Sequence, residues 1–393
     1  MGGFSKPRLE RLRDVLEGYV GRGEVPGAIA LVSRGGETRV ELAGDVQLDT
    51  IFRISSMSKP VVAAAAMILV EDCVLRLEDP VDDYLPELAS RQVLTRLDAP
   101  LDSTMPAERP ITVRDLLTFT LGLGYGEGMW GPPGTVPIMD ALMALGQGAP
   151  KPAEVPPVDE WMRRLGELPL VCQPGARWLY HTGSDVLGVL IARASGQPLE
   201  GFLRERLFTP LRMIDTGFSV PPESLDRLPT EYATDPATGA TMVYDPPTGQ
   251  WSAPPAFPSG GGGLVSTIGD YGAFAAMLMA RGRYRGARIL SSASVSLMTS
   301  DQLTPAQKAP SGLTLGDFDH GGWGFGVSVV TRRASLYHGV GTYGWTGGLG
   351  TAWHNDPAED LVMIVLTQQA LTSPVSPGIF RDFWTTTYTA IED

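Results

Sequence analysis

The chain has 393 residues, enough for one large domain or two closely associated ones. Hydrophobic residues make up 43% of it and charged residues 19%, which fits a compact protein with a sizeable core and not a disordered chain. The net charge of -13 repels DNA phosphate and anionic lipid, so we expect neither a nucleic acid nor a membrane as a partner.

The N-terminal segment and the cysteines bear on the cellular compartment. Residues 1–26 carry several charged side chains where a secretory peptide would need an apolar stretch. The longest apolar run, residues 61–70, is shorter than the ~20 residues of a membrane helix and predicts a buried core helix. The two cysteines, Cys73 and Cys172, are interpreted as reduced, buried thiols. Together these features predict a cytoplasmic protein.

The first part of the chain alternates helix and strand patterns. Apolar residues at helical spacing predict an amphipathic helix over residues 7–22. Two short apolar runs, 28–32 and 38–42, flank the glycine pair at 35–36 and predict two strands joined by a turn. The buried helix over residues 61–70 follows.

Between about residues 80 and 255 helical patterns alternate with loops rich in proline and glycine. The two richest loops, 126–155 and 235–258, are long enough to be interpreted as lids or pocket walls. The predicted helices of this segment cover residues 113–119, 159–165, 184–194 and 202–208.

The last third of the chain returns to strands. Its predicted elements are a helix near 270–280, strands at 325–331, 348–354 and 361–366, and a helix over 379–391. Strands at both ends with helices between them predict a discontinuous sheet domain, residues 1–80 and 256–393. We expect it to be interrupted by a mainly helical domain with long pocket loops, residues 81–255.

Ser56 and Lys59 open the apolar helix and are the first candidates for chemistry. Positions three apart share a helix face, so Lys59 points at the Ser56 hydroxyl, and the helix N-terminus favours an oxyanion there. A serine is inert until a base takes its proton, and a buried lysine with a lowered pKa can do this. The alternative is a capping serine with a surface lysine, but a surface lysine fits poorly before an all-apolar run.

Residues 49–59, which contain this Ser-x-x-Lys, resemble the nucleophile region of serine β-lactamase-like proteins, which include class C β-lactamases and family VIII carboxylesterases. The Gly-x-Ser-x-Gly elbow of α/β-hydrolases does not occur in the chain. The resemblance implies an α+β fold: an antiparallel sheet flanked by helices, with an inserted mainly helical domain and the active site between the two.

Residues 178–188 resemble the Tyr-x-Asn element of the same superfamily, with Tyr180 as the tyrosine and Thr182 in place of the asparagine. The resemblance implies that Tyr180 shares acid/base work with Lys59 and that Thr182 contacts substrate. Which of Lys59 and Tyr180 is the formal base stays open, because a coupled pair titrates jointly. A half-buried core tyrosine is the alternative interpretation.

Residues 338–351 resemble the superfamily's strand beside the active site, where penicillin-processing members carry a lysine or histidine. Here Trp345 takes the cation's place and offers apolar surface, as in family VIII carboxylesterases. The resemblance implies substrate contacts from Trp345, Thr346 and Gly347, and an oxyanion hole from the backbone N–H groups of Ser56 and Gly348. A glycine-rich strand end with a core tryptophan is the alternative.

Two weaker stretches, residues 111–125 and 260–267, also match the superfamily. In the first, Phe119 replaces a histidine, and Tyr125 is predicted to line the acyl pocket or to pack on the core. The four histidines (His181, His320, His338 and His354) have no metal-ligand spacing and are interpreted as surface or supporting residues. We expect neither a metal nor a cofactor.

The sequence therefore predicts a serine carboxylesterase that hydrolyses a small-molecule ester through an acyl-enzyme on Ser56. The principal alternative is an acyltransferase that passes the acyl group to a secondary metabolite. A β-lactamase or D-amino-acid peptidase is disfavoured by Trp345 and Thr182, although Arg332 or Arg333 could supply a cation. A non-catalytic binding protein that keeps the fold is the remaining alternative.

Overall fold

The computed structural model describes residues 3–126, 128–129, 132, 134–309 and 318–392. Its centre is a seven-stranded antiparallel sheet, in which the strands lie side by side in the order Gly321–Trp323, Ser328–Val330, Tyr343–Gly347, Thr351–Asp356, Leu361–Thr367, Gly27–Arg34 and Glu37–Gly44. In chain order the strands are β1 (Gly27–Arg34), β2 (Glu37–Gly44), β3 (Phe52–Arg53), β4 (Gln92–Leu94), β5 (Thr104–Pro106), β6 (Glu231–Thr234), β7 (Thr241–Asp245), β8 (Val265–Ser266), β9 (Arg283–Tyr284), β10 (Ala287–Arg288), β11 (Gly321–Trp323), β12 (Ser328–Val330), β13 (Tyr343–Gly347), β14 (Thr351–Asp356) and β15 (Leu361–Thr367).

Helices cover both faces of this sheet and fill the middle of the chain. They are α1 (Lys6–Leu9), α2 (Arg11–Gly21), α3 (Ser58–Glu71), α4 (Val113–Thr118), α5 (Pro137–Ala144), α6 (Val158–Glu167), α7 (Thr182–Ser195), α8 (Leu199–Leu203), α9 (Thr209–Leu211), α10 (Ile268–Met279), α11 (Ser292–Met298), α12 (Pro305–Lys308) and α13 (Gly378–Thr389). No helix in these ranges is long and apolar enough to cross a membrane.

The interior strand β15 is apolar from Leu361 to Leu366 because both of its faces are covered. Met363 and Val365 pack into an apolar cluster with α2 and α13. Ile364 and Leu366 point the other way and join the main core with α10. This alternation is the period of two that a strand imposes on its side chains. The predicted α+β class, with helices flanking an antiparallel sheet, is confirmed.

Helix α3 runs through the main core and carries the predicted nucleophile region at its start. Residues 58–69 are all buried, so the helix needs no polar face, and this explains the unbroken apolar run of the sequence. The main core joins residues of the sheet with residues between 81 and 255, so the division of the chain into a sheet domain and an inserted helical domain stays our proposal.

The other predicted elements agree with the structure except in the breaker-rich stretches. Strands β1 and β2 join through Gly35 and Gly36, whose φ values of 57° and 85° suit glycine in a tight turn. The predicted loops 126–155 and 235–258 contain helix α5 and strand β7, and no sequence pattern predicted strand β11. Strand β13 lies within residues 338–351, where the family resemblance implied a strand. Tertiary pairing outweighs the weak intrinsic preference of glycine there. Both cysteines are free thiols, but Cys73 is exposed and Cys172 is half-buried, so the prediction of two buried thiols was wrong.

Candidate active site

Ser56 and Lys59 meet at the point where a short 3₁₀ turn passes into α3. Ser56 lies in the turn Ser55–Met57, and Lys59 lies in the first turn of the helix. The Lys59 Nζ is 3.0 Å from the Ser56 Oγ. Lys59 is fully buried, whereas Ser56 keeps 9% of its surface exposed at the floor of a cleft. A reactant in the cleft therefore reaches the hydroxyl, with the amine behind it.

Burial sets the charge state of Lys59. Desolvation lowers the pKa of its amine, and the negative charge of Asp185 acts to raise it. The net effect is a pKa of about 7. At neutral pH a substantial fraction of Lys59 is then the free amine, which has a lone pair to accept a proton. An ordinary surface lysine has no such fraction.

Tyr180 lies beside this pair and receives a hydrogen bond from Trp345. The Trp345 indole N–H donates to the Tyr180 hydroxyl oxygen at 2.7 Å, and the Lys59 Nζ lies 4.6 Å above the Tyr180 ring. Burial raises the pKa of Tyr180 well above its usual value, although hydrogen bonds with Ser56 and Trp345 act to lower it. Tyr180 is therefore a protonated phenol, whose O–H is directed away from the indole donor.

The cleft has a cavity volume of about 930 Å³ and a mainly apolar lining. Its wall includes Tyr125, Tyr180, Trp345, Thr346 and Gly348 of the predicted site, together with all four histidines. Of the described residues that line it, none is an aspartate or a glutamate, and two are arginines, Arg332 and Arg381. An acidic protein thus presents a cleft without carboxylates, which suits apolar or anionic small molecules.

Gly348 lines the same cleft as Ser56 because strand β13 packs closely on the turn before α3. A side chain at Gly347 would collide with the Ile54 carbonyl oxygen and the Thr351 hydroxyl, so only glycine fits this approach. A Cβ at Gly348 would lie 3.9 Å from the Ser55 Oγ. The backbone of Gly348 therefore borders the space in front of Ser56, while Gly347 is not among the lining residues.

Thr182 lies beneath the cleft and not on its wall. It is fully buried at the start of α7, and its hydroxyl donates to the Gln147 Oε1 at 2.7 Å. The neighbouring His181 takes the place beside the lysine, with its Nδ1 3.1 Å from the Lys59 Nζ. The sequence predicted His181 only as a surface or supporting residue. Its position inside the Tyr180 element was the one available signal.

Two backbone outliers flank Ser56 and Tyr180. Ser55, immediately before Ser56, has a φ of 47°, and His181, immediately after Tyr180, has a φ of 84°. Such conformations cost of the order of 1–3 kcal/mol each for residues other than glycine and concentrate at functional sites. In the described part of the chain no group of three His, Cys, Asp or Glu side chains could hold a metal ion.

Comparison with known proteins places this arrangement in a family. The profile of the Beta-lactamase family matches residues 12–379. The chain belongs to the Beta-lactamase family. Among its relatives are Protein Rv1367c of Mycobacterium tuberculosis, 41% identical and covering 86% of this chain and 82% of the relative, and Esterase EstB of Burkholderia gladioli, 30% identical and covering 93% and 92%.

The fold is also shared with a solved structure, "EstCE1, a hydrolase with promiscuous acyltransferase activity". It superposes with a TM-score of 0.78 at 24% identity, over 97% of this chain and 99% of the other. The resemblance to the serine β-lactamase-like superfamily that the sequence motifs indicated is thereby confirmed. The protein is a serine hydrolase of the Beta-lactamase family.

Proposed function

We propose that the protein is a carboxylesterase of the family VIII type, which hydrolyses small esters through an acyl-enzyme on Ser56. The observation that carries the proposal is the 3.0 Å contact between the Ser56 hydroxyl and the fully buried Lys59 amine at the floor of an apolar cleft. A serine with a base at hydrogen-bond distance, open to a cavity on the other side, is what covalent acyl transfer requires.

In the proposed reaction Lys59 is the base and Tyr180 is the acid. The free amine takes the Ser56 proton as the Oγ attacks the ester carbonyl, and the protonated Tyr180 phenol donates to the departing alkoxide. The backbone N–H groups of Ser56 and Gly348 would hold the oxyanion. Water then attacks the acyl-enzyme, and the same groups exchange roles.

The proposed substrate preference follows from Trp345, which lines the same cleft as Ser56. Trp345 is neutral and apolar, and its N–H is already bonded to Tyr180, so it offers no charge to the carboxylate of a β-lactam. Trp345 and Tyr125 instead give aromatic surface for an acyl or alcohol group. An uncharged ester therefore fits this part of the cleft better than a β-lactam does.

Turnover of p-nitrophenyl butyrate by the wild type and by Ser56→Ala tests the proposal. We expect clear turnover in the wild type and none above background in the variant, together with phosphonate labelling of Ser56 seen by mass spectrometry. Equal rates in both proteins, or a label on another residue, would contradict the assignment of Ser56. A wild type that is neither labelled nor active would instead favour the non-catalytic alternative.

An acyltransferase is the second candidate, favoured by the size of the cleft. A cavity of about 930 Å³ exceeds the space that a short ester fills and leaves room for a bulky acyl acceptor beside the acyl group. The fold neighbour with promiscuous acyltransferase activity is compatible with this candidate. Adding an alcohol to the butyrate assay separates the two: a faster release of p-nitrophenol together with a new ester indicates transfer.

A β-lactamase or D-amino-acid peptidase is the weaker alternative. Arg332 lines the cleft, whereas the exposed Arg333 hydrogen-bonds to the Leu336 carbonyl oxygen. Thr182 is turned towards Gln147 and offers no polar group to a substrate. A chromogenic cephalosporin tests this alternative, and we expect its turnover to be far slower than that of the butyrate ester.

A further inference from the structure

The Lys59 amine has three polar neighbours, and their chemistry limits how it can be oriented. Its Nζ lies 3.0 Å from the Ser56 Oγ, 3.1 Å from the His181 Nδ1 and 2.5 Å from the Gly261 carbonyl oxygen. A free amine has two N–H bonds and one lone pair. The Gly261 carbonyl can only accept a hydrogen bond, so it takes one of the two N–H groups.

The other N–H depends on the tautomer of His181, and Asp185 sets that tautomer. The His181 Nε2 lies 3.4 Å from the Asp185 Oδ2. Although burial raises the pKa of Asp185, hydrogen bonds from His181, Ser259 and Gly261 bring it to about 2. An ionised carboxylate only accepts, so the single proton of the neutral imidazole lies on Nε2 and leaves Nδ1 as an acceptor.

We propose that His181, held by Asp185, is a positioning residue that aims the lone pair of Lys59 at Ser56. With one N–H bound to the Gly261 oxygen and the other to the His181 Nδ1, the lone pair faces the Ser56 Oγ. During attack the Ser56 O–H proton passes to this lone pair while the Oγ–C bond forms. The resulting ammonium donates its three N–H groups to the same three neighbours. The inference rests on the proposed function, in which Lys59 is the base.

The surroundings of His181 are suited to this role. The ring stacks on Tyr125 with centroids 5.5 Å apart, and the titratable groups that face it are Lys59 from α3, Asp185 from α7, Tyr180 and Tyr125. Burial, with the Lys59 charge, lowers the pKa of His181, although the hydrogen bond and the charge of Asp185 act to raise it, and the net lowering favours the neutral imidazole.

Asp185 is itself fixed by contacts that do not involve the substrate. It accepts hydrogen bonds from Ser259 Oγ at 2.6 Å, the Gly261 N–H at 2.8 Å and Gln147 Nε2 at 2.5 Å. The Gly261 N–H binds Asp185, while the Gly261 carbonyl oxygen binds Lys59. The Asp185 carboxylate therefore fixes both groups that accept a hydrogen bond from the Lys59 amine, namely the Gly261 carbonyl and the His181 ring.

Two substitutions of His181 separate positioning from packing. In His181→Asn the amide oxygen can occupy the place of Nδ1 and still accept from Lys59. In His181→Gln the longer side chain reaches the place of Nε2 and Asp185 but leaves Lys59 without that acceptor. We would measure kcat/KM for p-nitrophenyl butyrate from about pH 5 to about pH 10 and the rate of phosphonate labelling of Ser56, with thermal unfolding as the folding control.

We expect His181→Asn to stay within about tenfold of the wild type and His181→Gln to lose roughly a further 100-fold, the scale of a misaligned catalytic group. In His181→Gln the rise of kcat/KM with pH should also move to lower pH, because losing an acceptor disfavours the ammonium. Asp185→Asn should move it the same way, since the carboxylate charge raises the pKa of Lys59.

Equal losses in the Asn and Gln variants, with the pH profile of the wild type kept in both, would overturn the inference and leave His181 a packing residue. Failure of the proposed function is distinguishable from this outcome. In that case the wild-type Ser56 is not labelled at all, and the assignment of His181 falls with it.

Discussion

The hydrogen bond from Trp345 to Tyr180 can be tested with a matched pair of tryptophans. Trp345→Phe removes the indole N–H that donates to the Tyr180 oxygen at 2.7 Å, and Trp323→Phe removes an N–H that has no partner among the described residues. The two rings contact each other, with centroids 4.6 Å apart at 90°, and both are buried. The two substitutions therefore remove a similar volume from one aromatic cluster, but only Trp345→Phe also removes a hydrogen bond.

The size of the difference follows from that one bond. A net hydrogen bond is worth about 0.5–1.5 kcal/mol, and ~1.36 kcal/mol is a factor of ten in rate, so Trp345→Phe should lose about 2- to 13-fold more kcat/KM than Trp323→Phe. The physical reason is that the indole donor fixes which way the Tyr180 O–H points. Without it, the phenol oxygen has lost a bond that lowers its pKa, and its proton is free to turn from the leaving group.

The assay is turnover of p-nitrophenyl butyrate by both variants, with the free energy of unfolding measured in parallel. Loss of packing should appear in the unfolding of both proteins, and the extra kinetic loss only in Trp345→Phe. If the two variants lose kcat/KM equally, the hydrogen bond has no catalytic role, and Trp345 acts only through its aromatic surface.

Three further predictions use other parts of the structure. In the proposed reaction the free amine of Lys59 is the base, and burial lowers its pKa to about 7, so kcat/KM should rise with pH through about 7 and level off above it; a fall over that range would contradict the assignment. Because the cleft wall carries Arg332 and Arg381 and no described carboxylate, the double change of both to Glu should lower kcat/KM for p-nitrophenyl hemisuccinate more than for the butyrate, and added salt should shrink the gap. Arg53 and Asp245 form a buried ion pair. Arg53→Met should lower the free energy of unfolding in urea by about 3–5 kcal/mol because it leaves the buried Asp245 carboxylate without its cation, whereas a loss under ~1 kcal/mol would show that the ion pair is dispensable.

The sequence was sufficient to predict those features whose geometry is determined by residues close together in the chain. The three-residue spacing of Ser56 and Lys59 before an all-apolar run is enough to predict a buried amine beside a hydroxyl, because one helix turn brings the two together. Strand β15 was equally predictable, since a strand buried on both faces is apolar throughout.

The rest of the site depends on contacts between distant segments. His181 and Asp185 look like ordinary residues around a helix start, and only the fold brings Gly261 and Gln147 to them. Strand β13 was expected only from the family resemblance, because its glycines lower the strand preference of the segment and the sheet supplies its partners. Patterns of one segment cannot report a hydrogen bond made to another that is many residues away.

In the proposed reaction Trp345 links the choice of substrate to the acid/base chemistry, which would make the site hard to convert to β-lactam hydrolysis by one substitution. The indole N–H bonds to Tyr180, and the Tyr180 ring lies under the Lys59 amine at 4.6 Å. A lysine at position 345 would therefore bring a second ammonium close to a fully buried one. Two like charges in a desolvated site disfavour each other, so the pKa of Lys59 would fall further and the new lysine would be neutral for part of the pH range. We therefore expect Trp345→Lys to lose esterase activity without gaining turnover of a chromogenic cephalosporin; appreciable gain would mean that the cleft tolerates a second cation and that Trp345 alone decides the substrate class.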